Sequence, residues 1–337
     1  MTRHSSKLAI LAAISALLLL NLTSVPVRAD DDDEEDSVPA AVETGASSVS
    51  ISEAIPDLQY SEYQHQTEAG RWEVTPSVGI HARNGTPRDA TTTKKIYSGS
   101  LPLSVRGEYG ISSLFSVGTQ LGYTMGAVSY DCDSSTTCDS TTFKGFVDPE
   151  VYLNGRVGIG PGSLRFGANV AFSPMKAEIS SNGDANNFSG GTTVSPYVGY
   201  EFFVGRGLLG FRGAYDLYQS EREVSDKTST PNSYKVTDGQ DISLAAFYEY
   251  PIWKLSIGSA LEYTNSAQTR KKSNGATTPG NNAFSEYHMR VYVPIRFNPK
   301  ITLYPALAVG TQDCPSSGCT ARTTSITDIS CAGRFTF

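Results

Sequence analysis

From position 71 onward, apolar and polar side chains take turns along the chain. In 71–83 one face reads Trp72, Val74, Pro76, Val78, Ile80 and Ala82, and the other Arg71, Glu73, Thr75, Ser77, Gly79, His81 and Arg83. Successive side chains of a strand point to opposite faces, so a period of two predicts strands with one apolar and one polar face. The same alternation recurs in 100–109, 115–125, 146–157, 164–172, 194–204, 209–219, 242–250, 253–263, 287–297, 301–309 and 328–337, which makes twelve candidate strands.

The links between them alternate in length. Short links at 110–113, 160–162, 205–207, 251–252 and 298–300 separate longer polar ones around 84–96, 131–142, 180–192, 221–240, 265–283 and 311–324. A soluble sandwich has no reason to keep this order, whereas an up-and-down barrel crossing a membrane does. Strands of this length cross the hydrocarbon layer when tilted. The predicted fold is therefore all-β: a closed antiparallel up-and-down transmembrane barrel of about twelve strands. Prolines 76, 102, 149, 174, 196, 294 and 305 fall in proposed strands and cannot donate to a ladder, so they are expected at rims or bulges.

The first 29 residues stand apart. Arg3 and Lys7 precede an apolar run from Leu8 to Leu20, and Val27-Arg28-Ala29 offers a cleavage site, the layout of a secretory signal peptide. The apolar run is short for a spanning helix. Residues 30–70 then hold twelve acids and no Lys or Arg, while 71–337 holds 24 bases against 22 acids. Two expectations follow for this acidic stretch. It is a disordered periplasmic tail, because high net charge and few apolar residues support no core, or part of it enters the barrel and meets lumen arginines as a plug. The near-neutral remainder lacks the concentrated basic face that nucleic acid requires.

The chain closes on Ala332-Gly-Arg-Phe-Thr-Phe337, with apolar residues alternating back from a terminal Phe. This resembles the C-terminal signature of Gram-negative outer-membrane barrels. The resemblance implies that Phe335 and Phe337 form an assembly signal read by the barrel-assembly machinery, after escort by periplasmic chaperones. It also implies short periplasmic turns, long extracellular loops and outer-membrane lipid around the barrel. Cys132 with Cys138 and Cys314 with Cys319 sit as close pairs in polar loops, which in an exported chain favours two local disulfides over zinc. Cys331 stands alone.

The polar faces define the candidate lumen. They carry Arg71, Glu73, His81 and Arg83 on the first strand, and Arg106 and Glu108 on the second. Lys144, Asp148, Glu150 and Arg156 follow, then Arg165, Glu201, Arg212 and Asp216. Further on come Asp241, Glu249, Lys254 and Glu262, then Glu286, His288, Arg290 and Arg296, and finally Asp328 and Arg334. The balance of signs implies weak ion selectivity or segregated walls.

Signals for catalysis are few. Gly205-Arg-Gly-Leu-Leu-Gly210 fits a nucleotide fingerprint, but period two continues after it where a helix is required. His81-Ala-Arg-Asn-Gly85 resembles the H-x-S-N-G of outer-membrane phospholipases, with Arg83 in place of the nucleophilic serine, so that chemistry is missing. His288 is expected to be a lumen hydrogen-bond partner. Asp30 to Asp36 lack the spaced ligands and Gly of a calcium loop. No cofactor or metal is expected, and no enzymatic activity. Gly145-Phe-Val-Asp-Pro149 resembles a G-x-x-D-P segment of barrels linked to phenol degradation. The resemblance is to small outer-membrane channels as a class, which implies diffusion of small hydrophilic solutes through the lumen. The alternatives are a structural or surface-binding barrel with an occluded lumen, and an outer-membrane lipid hydrolase.

Overall fold

The computed structural model describes residues 60–87, 96–130, 140–219, 221–228, 233–253, 255–280, 283–313 and 321–337. The expected signal peptide, Lys254 and both expected cysteine pairs lie outside them. The strands are β1 (Trp72–Pro87), β2 (Ile96–Gly110), β3 (Phe115–Tyr130), β4 (Thr141–Val147), β5 (Glu150–Ile159), β6 (Gly162–Phe172), β7 (Ala177–Ile179), β8 (Ala185–Asn187), β9 (Thr192–Val204) and β10 (Gly207–Tyr218). They continue as β11 (Arg222–Asp226), β12 (Ser233–Asp238), β13 (Asp241–Ile252), β14 (Leu255–Ser266), β15 (Thr269–Ser273), β16 (Ala276–Pro279), β17 (Phe284–Tyr292), β18 (Ile295–Asn298), β19 (Ile301–Asp313) and β20 (Ala321–Thr336).

Twelve of the crossings are barrel strands. Each pairs antiparallel with its neighbour, with β4 and β5 forming one interrupted strand against β3, and β17 and β18 another against β19. The ring closes where β1 pairs with β20, Glu73 opposite Thr336 and Pro87 opposite Ala321. The main-chain groups of Phe337 and Trp72 bond to each other beyond that ladder. Closure matters because a spanning segment must satisfy its amides internally; an open edge in hydrocarbon would strand them.

The faces are inverted relative to a soluble protein. Trp72, Leu121, Leu261 and Ile329 are more than half exposed on the outside, whereas Glu73, Glu108, Arg165 and Glu249 are buried inside. Aromatic pairs mark two heights on the outer wall. Trp72 with Tyr109 and Phe115 with Phe166 lie near the short turns, and Tyr123 with Phe146 and Tyr263 with Tyr287 toward the long loops. Rings at both heights suit the two membrane interfaces.

Two expectations about the strands need correction. Pro76, Pro102, Pro196 and Pro305 do not sit at rims; each holds a place in a ladder. Pro76 pairs with Val105 on one side, while the β1–β20 register has no partners at Thr75 and Pro76, so the missing donor is confined to one seam. Pro149 and Pro294, by contrast, end β4 and β17. The break at Asp148-Pro149 also shifts the phase of the preceding strand. Phe146 faces outward and Val147 inward, the reverse of the alternation read from β5. Lys144, paired with outward-facing Met125, is exposed and belongs to the outer surface, not the lumen.

At the long-loop end, β7 lies parallel to β11 and β8 parallel to β4. Ala177, Ile179, Val224, Tyr234 and Val236 form a small apolar core above the barrel. Around it Glu221 accepts from Lys235 at 2.6 Å and from Lys272 at 3.3 Å, which holds its carboxyl below the ordinary value.

A charge placed on the outer wall should be costly. Leu121→Arg is expected to destabilise the folded barrel by about 2–4 kcal/mol, measured by reversible unfolding in lipid vesicles, with Glu178→Gln in a loop as an indifferent control.

Candidate functional site

Because the outer wall is apolar, the chemistry-bearing side chains converge on the lumen. Its short-turn half is not empty. Residues 60–70 turn back from the start of β1 and cross the interior, with 61–67 all buried. The entry is pinned at β2: Ala69 bridges Gly110, the Gly70 N–H donates to the Gly110 carbonyl at 2.7 Å, and Arg71 pairs with Glu68 at 2.6 Å. Arg71 thus sits at the rim instead of lining the lumen as expected. The close approach needs a glycine, since a Cβ on Gly110 would lie 1.8 Å from the Glu68 carbonyl oxygen.

Inside, charged groups of the short-turn half meet the segment. Glu62, at the start of a single 3-10 turn (Glu62–Gln64), takes Arg296 at 2.8 Å, Arg334 at 3.1 Å and the Tyr304 hydroxyl at 2.8 Å. Its own N–H donates to Glu249 at 2.7 Å, a carboxylate that also accepts from Ser256 and Tyr292. The Ser61 hydroxyl donates to Glu201 at 2.5 Å. Arg156 and Arg165 both donate to the Gln64 carbonyl, and Arg156 lies 3.9 Å from the Tyr60 ring centroid. His65 is 2.7 Å from Glu73, which Thr67 also approaches at 2.9 Å, and the Thr67 N–H donates to Glu108 at 3.2 Å. Tyr63 stacks on Phe247 with centroids 4.5 Å apart and donates to Glu262 at 2.9 Å, itself paired with Arg290. Hydrogen bonds to charged partners contribute roughly 1.5–3 kcal/mol each, so this set holds the segment firmly.

Farther toward the loops the lumen carries two other groups of charges. On one wall Asp328 and Arg83 engage the two ring nitrogens of His81, Arg83 pairs with Glu286 at 2.8 Å, and His288 lies 3.4 Å from Glu286. On the opposite wall stand Glu150, Asp216 and Asp241, the last accepting from Tyr218 at 3.0 Å. Asp148 is set apart: it accepts from Ser173 and from the Ser189 N–H, and so anchors the loop between β6 and β9. Arg106 pairs with Glu108, and Arg212 stacks 4.2 Å from the Tyr197 ring centroid. The structure therefore buries most of the expected lumen residues on the inner face of the barrel.

The alternation did not single out the groups that fill it. Tyr63, Phe247 and Tyr292 make a buried aromatic cluster inside the barrel. Phe247 and Tyr292 occupy polar-face positions in their strands, and an aromatic on that face is the signal that something must pack there. The stretch Tyr60-Ser-Glu-Tyr-Gln-His-Gln-Thr67 is also less acidic and more aromatic than residues 30–59.

No family model matches the sequence, and no curated protein does. Solved structures do match the fold. An outer membrane channel from Pseudomonas putida F1 superposes with a TM-score of 0.59 at 13% identity, covering 81% of this chain and 97% of that one. The chain folds as an outer-membrane β-barrel. The transport unit of the autotransporter AIDA-I from Escherichia coli also matches, with a TM-score of 0.50 at 9% identity over 81% of this chain and 92% of that one. The inserted segment occupies the half of the barrel that carries the short turns.

Removing the Glu62 charge leaves Arg296 without its carboxylate and Arg334 with only the longer pair to Glu73 at 3.9 Å, and breaking a buried ion pair costs about 3–5 kcal/mol. In Glu62→Gln the amides of Ser61, Glu62 and Thr67 are expected to exchange with deuterium at least about tenfold faster, as that loss of pairing implies. Unchanged protection would show that the carboxylate does not hold the segment.

Proposed function

We propose that this barrel is an outer-membrane channel for small hydrophilic solutes, closed toward the periplasm by its own residues 60–70. The observation that carries this is the match between lumen and segment: Glu62 answers Arg296 and Arg334, while Glu201, Glu249, Glu73, Glu108 and Glu262 accept from segment groups. A lumen so polar has no packing role that apolar residues would not serve better. It suits hydrated solutes once the segment leaves. The likeness to a channel from Pseudomonas putida F1 supports the same assignment.

Catalysis has no place in this proposal. Both ring nitrogens of His81 are engaged, by Asp328 and Arg83, and neither is directed at a nucleophile. The density of buried contacts around Tyr63 favours a second reading, a permanently closed barrel that acts through its loops.

Planar bilayers separate the two. Deleting residues 60–70 is expected to give stepwise conductance several-fold above that of the full chain. Gly110→Val should do the same with every charge retained, because its side chain collides with the Glu68 carbonyl. Heat-modifiable gel mobility confirms that each variant is folded. Folded variants with unchanged conductance would remove the plug, and no conductance in any form would leave the closed barrel.

A further inference from the structure

The acidic wall is an unusual thing to build into a barrel. Asp216 and Asp241 are direct cross-strand partners on β10 and β13, and both are buried. Like charges opposite one another destabilise a sheet. Glu150, on β5, is buried on the same side of the lumen, close enough to Asp216 for the two carboxylates to repel each other. Among the described residues none of these three carboxylates forms an ion pair. Of the nearby cations, Arg106 is paired with Glu108 and Tyr152, while Arg222 stacks on the Tyr218 ring and acts on Asp241 only from beyond ion-pair distance.

A second observation points the same way. Asn169 lies between these acids along the wall, its Cα partners being Tyr152 on β5 and Ser195 on β9, and Ser195 in turn donates to Asp216. Asn169 is 3 % exposed, yet its Oδ1 has no hydrogen-bond partner, and neither does Oε2 of the buried Glu150. A buried acceptor left unmade costs more than a typical hydrogen bond contributes. The wall therefore presents acceptors and negative charge in excess and calls for a ligand that brings donors and positive charge. An alkylammonium has three donors and no acceptor. A bare metal ion fits less well, since no group of three or more His, Cys, Asp or Glu among the described residues could hold one.

We propose that Glu150, Asn169, Asp216 and Asp241 form a binding subsite for organic cations bearing primary ammonium groups. Asp241 is six residues along its strand from Phe247, which packs against the inserted segment, so the subsite stands about 20 Å along the strand toward the loops. A solute arriving from outside meets it before it meets the plug. The inference names the solute class for the channel proposed above, but the binding itself does not depend on conduction.

Isothermal titration of the full-length barrel in detergent with putrescine, against neutral 1,4-butanediol, tests the binding. Putrescine is expected to bind and butanediol not. The double change Glu150→Gln with Asp216→Asn should weaken putrescine at least about tenfold, the factor expected for one lost charge-assisted bond. Asp241→Asn alone serves as a second variant, and Glu178→Gln in a loop should leave binding unchanged. Equal binding of butanediol, or undiminished putrescine binding in folded variants, overturns the subsite. Reversal potentials under a KCl gradient, read on Gly110→Val with and without the double change, report conduction separately. Potassium preference that disappears with the acids supports the subsite as part of the path. Acid-dependent putrescine binding without any conductance would keep the subsite and refute the channel. Conductance without acid-dependent binding or preference would refute the subsite alone.

Discussion

Everything in this structure follows from the need to satisfy main-chain amides where no water can reach them. A strand in hydrocarbon must find its partners in neighbouring strands, and only a ring gives every strand two neighbours. The pairing of β1 with β20 completes that ring. Once it is complete, the lipid takes the apolar face and the polar face has nowhere to go but inward. The inversion of burial, with Leu121 out and Glu249 in, is a direct consequence.

The inward crowding of charge creates a second problem, solved differently at the two ends. Ionised groups enclosed by a barrel wall are costly unless paired and hydrogen-bonded. In the short-turn half the solution comes from outside the barrel strands, in the form of residues 60–70. Their carbonyls take Arg156 and Arg165, the Glu62 carboxylate takes Arg296 and Arg334, and their N–H and hydroxyl groups serve the glutamates. In the loop half, one wall pairs internally through Arg83, His81, Glu286 and Asp328, while on the other Glu150, Asp216 and Asp241 form no ion pair among the described residues. The segregation of sign is thus axial as well as lateral, and it gives the two ends of the lumen different chemistry.

Proline placement shows how much irregularity such a ring tolerates. A proline costs one ladder bond, and within a ring that loss is confined to a single seam, as between Pro76 and β20. Where Pro149 follows Asp148, the strand is interrupted and Asp148 is recruited to hold the loop through Ser173 and Ser189. The interruption leaves β4 free to accept β8 as a parallel neighbour, which brings a loop against the barrel rim.

The sequence by itself determined the fold class, the strand number, the order of short and long links and nearly all of the inward-facing charges. Those features are written in a local period of two, which survives without knowledge of distant contacts. Tertiary structure decided the rest. Lys144 and Phe146 face outward because a break at Asp148-Pro149 resets the phase, and alternation read across a break carries no information about it. Residues 60–70 have no periodic signal, since they form no strand or long helix; their place is set by residues hundreds of positions away, such as Arg334 for Glu62. Which charges meet across the lumen likewise depends on ring closure, and closure is a property of the whole chain that no local stretch encodes.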